Sequence, residues 1–361
     1  MISRRRRRAD LQVHQVNDMT DRSIAAAAAA TDNHVPYRRI FLTGGSGYVG
    51  RNLIRHFVGR GIEVVALVRS ERSEHVVGLL GAHPYRGDIL VGDLTAAMSG
   101  CDGFIHAAAD TDHGPATNRQ RQVNEYGTRA VMEAARAAGI RKVVHLSTES
   151  VLATGKPLVN VDETMPMPHK FAGGYSRSKA AAERIALESD APEFSVVVLR
   201  PRFVWGRDDT TALPALIEAV RSGKFAWIGG GTYLTSTTHI ANLCVAVERA
   251  LERGRGGEAY FISDGMPVPF RTFVSSLLET QRLIPTGKSV PRSVVGTIAA
   301  IGDLIALVSA GRITMPLTWQ SYATSAVEIS LDIGKARREL AYSPVISREQ
   351  GLEELRSGQH W

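Results

Sequence analysis

Cysteine is scarce in this chain. Cys101 and Cys244 are the two among 361 residues, too few for a disulfide framework, and neither is spaced with histidines as metal ligands are. That argues against a disulfide-stapled secreted scaffold and against a metal site, and it fits a reducing, cytoplasmic compartment. Long apolar runs are missing too. The most apolar helix candidate, 294–310, has 17 residues and carries Asp303 and two glycines, short of the roughly 20 needed to span a bilayer. It reads as a buried or substrate-covering helix, with peripheral membrane contact as the alternative. An export signal is lacking as well. Arg4 to Arg8 are followed by Asp18 and Asp21, and Ile24–Ala30 is too short for a signal's apolar stretch.

The net charge of +7 is not spread evenly. Eight arginines and four aspartates precede Ile40, so four of those charges belong to the tail and three to everything after it. No specific nucleic-acid partner is expected from that balance. Residues 1–38, with the arginine run and Ala25–Ala30, read as a passive disordered tail. A surface-binding arm is the sharper alternative, and Met19 is an alternative start.

What the chain has is a strand, a glycine cluster and a helix, in that order. Ile40-Phe41-Leu42-Thr43 leads into Gly44, Gly47 and Gly50, and Val49, Leu53, Ile54, Phe57 and Val58 then form one apolar face. The first glycine permits a tight turn, the second lets the backbone approach a pyrophosphate, and the third lets helix and strand pack closely. The free N–H groups of the first helical turn, at Tyr48 and Val49, then face the phosphates. The bland alternative, a structural turn, lacks a reason for the required order of elements. Val64–Val68 reads as a buried parallel strand. No acidic residue ends it; Arg69, Ser70 and Arg72 follow. A carboxylate there would take a ribose hydroxyl, whereas a guanidinium suits a 2′-phosphate, so NADP is favoured over NAD.

Of two Gly-Asp pairs, Gly87-Asp88 leaves enough chain for a crossover before the strand at Gly103, with Leu90–Ser99 as a short helix, so Asp88 is taken as the third strand's end. His106-Ala107-Ala108-Ala109 ends the fourth strand in small residues against which a cofactor can lie, His106 itself reading as a packed strand-end residue. Asn124 is taken to open a long amphipathic helix that Gly139 stops, and Lys142–Leu146 is the fifth strand.

Tyr175 and Lys179 stand four apart at the start of another helix and share one face. A phenol is a poor base at neutral pH, and a nearby ammonium favours its phenolate. Thr148, after the fifth strand, is the candidate hydroxyl for the substrate oxygen.

These residues resemble the extended short-chain dehydrogenase/reductase family, in its 3β-hydroxysteroid dehydrogenase-like branch. Thr43–Gly50, Thr148, and Tyr175 with Lys179 match its elements in order. So do Asn124 with Gly127-Thr128, Leu199–Gly206, and Thr238-His239-Ile240 with Asn242, which stands where many relatives have Asp. The resemblance implies an α/β fold: a Rossmann-type doubly wound parallel sheet over 39–206 with a smaller C-terminal substrate lobe over 207–361, interleaved with the last core strands. It implies Tyr175, Lys179, Thr148 and Asn124 as the catalytic set. Asp88 and Ile89 would stand at the adenine, Ala107 and Ala108 along the cofactor, Lys179 at a ribose, and Pro201 to Val204 at the nicotinamide. The implied activity is NAD(P)-dependent interconversion of a hydroxyl and a ketone on a large apolar substrate, sterol or 3-oxoacyl in type, by a cytoplasmic enzyme that forms a homodimer or touches a membrane. A nucleotide-sugar epimerase and a non-catalytic NADP-binding scaffold are the alternatives. Dehydration is disfavoured, because Glu149-Ser150 after Thr148 lacks the second acid.

Overall fold

The computed structural model describes residues 37–358 apart from 310, 311, 314 and 316. The tail reading therefore falls, up to Pro36, outside the described residues. Seven parallel strands form the central sheet: β1 Arg39–Thr43, β2 Glu63–Val68, β3 His83–Arg86, β4 Gly103–His106, β5 Lys142–Leu146, β6 Ser195–Pro201 and β7 Glu258–Ile262. Their spatial order is β7-β6-β5-β4-β1-β2-β3. The order reverses between β1 and β4, which opens a crevice at the strands' carboxyl ends. The central strands are near-continuous apolar runs because helices cover both faces. At the edge, β3 is exposed along its length and tolerates Pro84.

The principal helices of this unit are α1 Tyr48–Val58, α2 Glu71–Leu79, α3 Gly127–Ala137, α4 Gly174–Glu188 and α5 Ile240–Arg253. One core joins Phe41, Val65, Phe104, Val131, Val143 and Val196. Two local expectations need correction. The helix placed at 90–99 is only Thr95–Met98, because Asp93 turns the chain just before it by accepting from the Thr95 N–H at 2.8 Å, while Asp88 accepts from Leu90 N–H at 2.9 Å in a separate turn. The helix before α3 begins at Asn118, where Thr117 caps it, and Asn124 lies inside a π turn, Gln122–Tyr126. Such bulges re-aim side chains within a helix.

Beyond Gly206 the chain builds a second core around Trp205, Trp227, Phe273 and Leu277. The apolar helix α6, Arg292–Val308, buries only its small face, with Gly296, Ala299 and Gly302 inward. Ile301, Leu304, Leu307 and Val308 are exposed, so the expected burial holds for one face alone. No helix among the described residues is long and apolar enough to cross a membrane.

Asn242 has a local reason. Its carbonyl oxygen accepts from the N–H groups of Val345 (2.8 Å) and Ile346 (3.1 Å), and its amide donates to Asp264 Oδ1 at 2.8 Å. Asp264 is half-buried and also accepts from Trp205, Thr237 and the His239 N–H. A carboxylate at 242 would face another carboxylate; the amide supplies the donor that Asp264 needs.

Candidate active site

The glycine loop is built for close approach. Gly44 has φ +74°, and a Cβ on it would lie 2.8 Å from the Ala107–Ala108 backbone; a Cβ on Gly50 would lie 2.1 Å from the Gly44 carbonyl. Gly47 would meet only that carbonyl, at 3.3 Å, and its outer side is open. The α1 N-terminus carries no side-chain cap and no acid in its first turn. Its N–H groups are therefore left for an external anion. The Tyr48 hydroxyl is buried without a partner and lines the adjoining cleft. This loop fits a dinucleotide pyrophosphate.

A chain of hydrogen bonds holds the loop to the next elements. Ala108 N–H donates to Thr43 Oγ1 (3.2 Å), which pairs with His106 Nδ1 (2.7 Å), and His106 Nε2 pairs with Thr128 Oγ1 (3.0 Å). Thr128 gives its own proton to the Asn124 carbonyl at 2.6 Å. His106 must therefore carry its proton on Nε2 and accept at Nδ1. Burial pushes this imidazole down to about 3, so it stays neutral. It is a packed strand-end residue, as its position suggests.

A cleft of about 780 Å³ opens beside the loop, with Tyr48, Val49, Ala107, Thr148, Tyr175, Lys179, Pro201 and Val204 all on its walls. Arg69, Asp88, Ile89, Ala108 and Asn124 do not line it. Arg69 is exposed just past β2, and Asp88 follows β3, both at the carboxyl edge of the sheet. The Ile89 side chain is buried against Gly127, where a Cβ would come within 2.6 Å of it. Both amide hydrogens of Asn124 are committed within the protein. Its Oδ1 accepts from Asp110 N–H (2.7 Å), and its amide donates to the Asp110 carbonyl (2.9 Å) and Ser178 Oγ (3.0 Å). It ties the 107–117 loop to α4, which makes it a positioning residue.

Tyr175 and Lys179 lie in the first turns of α4. The Tyr175 phenol hydrogen-bonds with Thr148, yet burial, with the Glu149 carboxylate adding to it, pushes its pKa up. Lys179 donates to the Leu146 carbonyl at 2.7 Å, and burial brings it down to about 8, against an upward pull from Glu183. The expected lowering of Tyr175 by Lys179 is not found, because removing a phenolate from water beside the Glu149 carboxylate is costly.

Three groups were not singled out from the sequence, and a fourth, Glu149, was read there only as the lone acid after Thr148. Glu183, four residues past Lys179, is fully buried and ion-paired with Arg200 at 2.5 Å, and it accepts from Ser147 Oγ at 2.5 Å. The spacing 175-179-183 along one helix face was the available signal. Glu149 and Arg202 form a second buried pair at 2.9 Å on the cleft wall. His113 lays its ring on Tyr175, with centroids 4.6 Å apart. These last three come from separate segments, and no local pattern joins them.

Comparison with known proteins agrees with this geometry. The sequence profile of the 3-beta hydroxysteroid dehydrogenase/isomerase family matches residues 41–291. A 4-hydroxy-2-methyl-3-oxo-4-farnesyl-3,4-dihydroquinoline-1-oxide ketoreductase of Stigmatella aurantiaca is 45% identical over 88% of this chain and 96% of its own. A 2-alkyl-3-oxoalkanoate reductase of Stenotrophomonas maltophilia is 32% identical over 88% and 98%. Among solved structures, UDP-glucuronic acid 4-epimerase of Bacillus cereus, bound to UDP-glucuronic acid and NAD, superposes with TM-score 0.69 at 21% identity, over 88% of this chain and 98% of that one. That last likeness is one of fold. Given the profile match and these relatives, the chain belongs to the 3-beta hydroxysteroid dehydrogenase/isomerase family and is an NAD(P)-dependent oxidoreductase of the extended short-chain dehydrogenase type.

Proposed function

We propose that this protein reduces a ketone to a secondary alcohol on a large apolar substrate, with NADP preferred over NAD. The observation that carries the reading is the cleft itself. Tyr175, Thr148 and Lys179 stand on the wall shared with the glycine loop, while Leu216, Phe225, Trp227 and Phe270 form an apolar far end. A bound nicotinamide dinucleotide would supply the hydride. Gly44, Gly47, Gly50, Tyr48 and Val49 would hold its pyrophosphate, Asp88 and Ile89 its adenine side, Ala107 and Ala108 its length, and Pro201 and Val204 its nicotinamide. Tyr175 keeps its proton at neutral pH, because burial disfavours the phenolate. A neutral phenol can hydrogen-bond the substrate oxygen and release its proton as negative charge develops there. Thr148 would share that oxygen by turning its proton away from Glu149 Oε2, to which it donates at 2.8 Å, and Lys179 supports the phenolate left behind.

The epimerase alternative is weaker on the same ground. Lys179 and Arg202 are the lining cations, Arg202 is paired with Glu149, and the far end offers none for a nucleotide diphosphate. We also infer, from the exposed stripe on α6, that the enzyme meets a lipid surface from which an apolar substrate partitions. A homodimer rests on family likeness and is tested by sedimentation. The reading is tested by a turnover screen of a long-chain 3-oxoalkanoate, a 3-ketosteroid and a UDP-sugar with NADPH and NADH. Reduction of an apolar ketone with NADPH is expected; conversion of the UDP-sugar alone, without net consumption of cofactor, would contradict it.

A further inference from the structure

The near end of the cleft holds more polar groups than one carbonyl needs. Tyr175 and Thr148 suffice for the reacting oxygen. Beside them stands His113, an exposed residue whose ring lies on that of Tyr175 at 4.6 Å and 47°. Its loop is held in place. The His113 carbonyl accepts from Thr318 Oγ1 at 3.0 Å, and Asp112 Oδ1 accepts from Gly114 N–H at 2.8 Å. The imidazole itself has no hydrogen-bond partner among the described residues. Behind it lie Glu149 and Arg202. Glu149 Oε2 accepts from Thr148 Oγ1 at 2.8 Å, and Arg202 donates through Nη1 to Glu149 Oε1 (2.9 Å) and through Nη2 to the Thr324 carbonyl (2.6 Å). Arg202 Nε is buried with no hydrogen-bond partner among the described residues. A buried donor left unmatched is costly, and a small turn of the guanidinium toward a ligand oxygen in the cleft would relieve it.

The charge balance selects which oxygen. Glu149 cancels Arg202, and surrounding protein keeps the His113 imidazole below its ordinary value, with Glu149 and Asp112 opposing that shift. The corner therefore carries no net positive charge. A carboxylate entering it would sit against Glu149, whereas a hydroxyl can both donate and accept.

We propose that this corner is a second oxygen site, formed by His113 with the Glu149–Arg202 pair, for a hydroxyl on the substrate carbon next to the reacting carbonyl. The two oxygens must be neighbours because the rings of His113 and Tyr175 touch and Thr148 is bonded to Glu149. The inference rests on the ketone-reductase reading and narrows its substrate to a hydroxy ketone with an apolar body.

The test uses the full chain with NADPH and two probes: a cyclohexanone bearing a long alkyl chain and a hydroxyl on the carbon beside the carbonyl, and the same ketone without the hydroxyl. Wild type should prefer the hydroxy ketone about tenfold in kcat/KM, the effect of one good hydrogen bond. His113→Phe, which keeps a ring over Tyr175, should bring that ratio close to one, and His113→Gln should retain most of it. Equal use of both ketones by wild type, or a ratio unmoved by His113→Phe, overturns the second oxygen site while the reductase reading stands. Reduction of neither ketone by protein that binds NADPH overturns both.

Discussion

Lys179 holds its ammonium where burial works against it, at about 8 in place of the usual 10.5. The consequence for stability has a definite sign. Between those two values the unfolded chain binds more protons than the folded one, so stability rises with pH across that window. Below it both states are charged, and the burial penalty is felt in full. Lys179→Met removes the penalty, so its stability advantage over wild type should be largest at pH 7 and shrink as pH climbs toward 10.5. Denaturant unfolding of both proteins across that range measures it, and a difference independent of pH would show that Lys179 is not buried as described. Arg69 makes a separate case. It is exposed just beyond β2 with no acid beside it in sequence, so Arg69→Asp should shift the NADPH-to-NADH affinity ratio toward NADH by about ten- to a hundredfold, the worth of charge-assisted hydrogen bonds. Fluorescence titration with each nucleotide reads it. At this scale Tyr175, Lys179 and the three glycines were legible because their chemistry is written in short spacings. His113 and the pairing of Glu149 with Arg202 were not, because only the folded chain brings residues that far apart in sequence to one corner.

Elements were legible to the extent that one segment decides them. The strand–glycine–helix unit and α4 need only local information, and both stand where the spacing places them. The π turn around Asn124 escaped, since a single inserted residue leaves the hydrophobic period almost unchanged. For α6 the sequence is apolar all round, and periodicity cannot say which side is covered. Packing against Trp319 and Tyr322 chose the small-residue face, where Gly296 allows close contact, and left the larger side chains outside. That choice makes a prediction. Ile301→Glu with Leu304→Glu should abolish cosedimentation with phosphatidylcholine–phosphatidylglycerol vesicles. The thermal midpoint should stay within a few degrees, because exposed substitutions change stability little, about 0.5 kcal/mol each. Unchanged vesicle binding would remove α6 from any lipid contact.

At the scale of the whole molecule, the parallel sheet carries the glycine loop at its crevice, and a second core forms around Trp205, Trp227 and Phe273. The strand–helix rhythm loosens after Gly206, and β7 returns the chain to the central sheet afterwards. What rests on that arrangement is the claim that Tyr175 passes the proton while cofactor binding depends on other residues. Turnover and NADPH affinity of Tyr175→Phe, measured on one preparation against the best ketone from the screen, test it most directly. The account predicts turnover reduced by about a hundredfold to ten-thousandfold with the affinity for NADPH held within about threefold. Turnover close to that of wild type would contradict it.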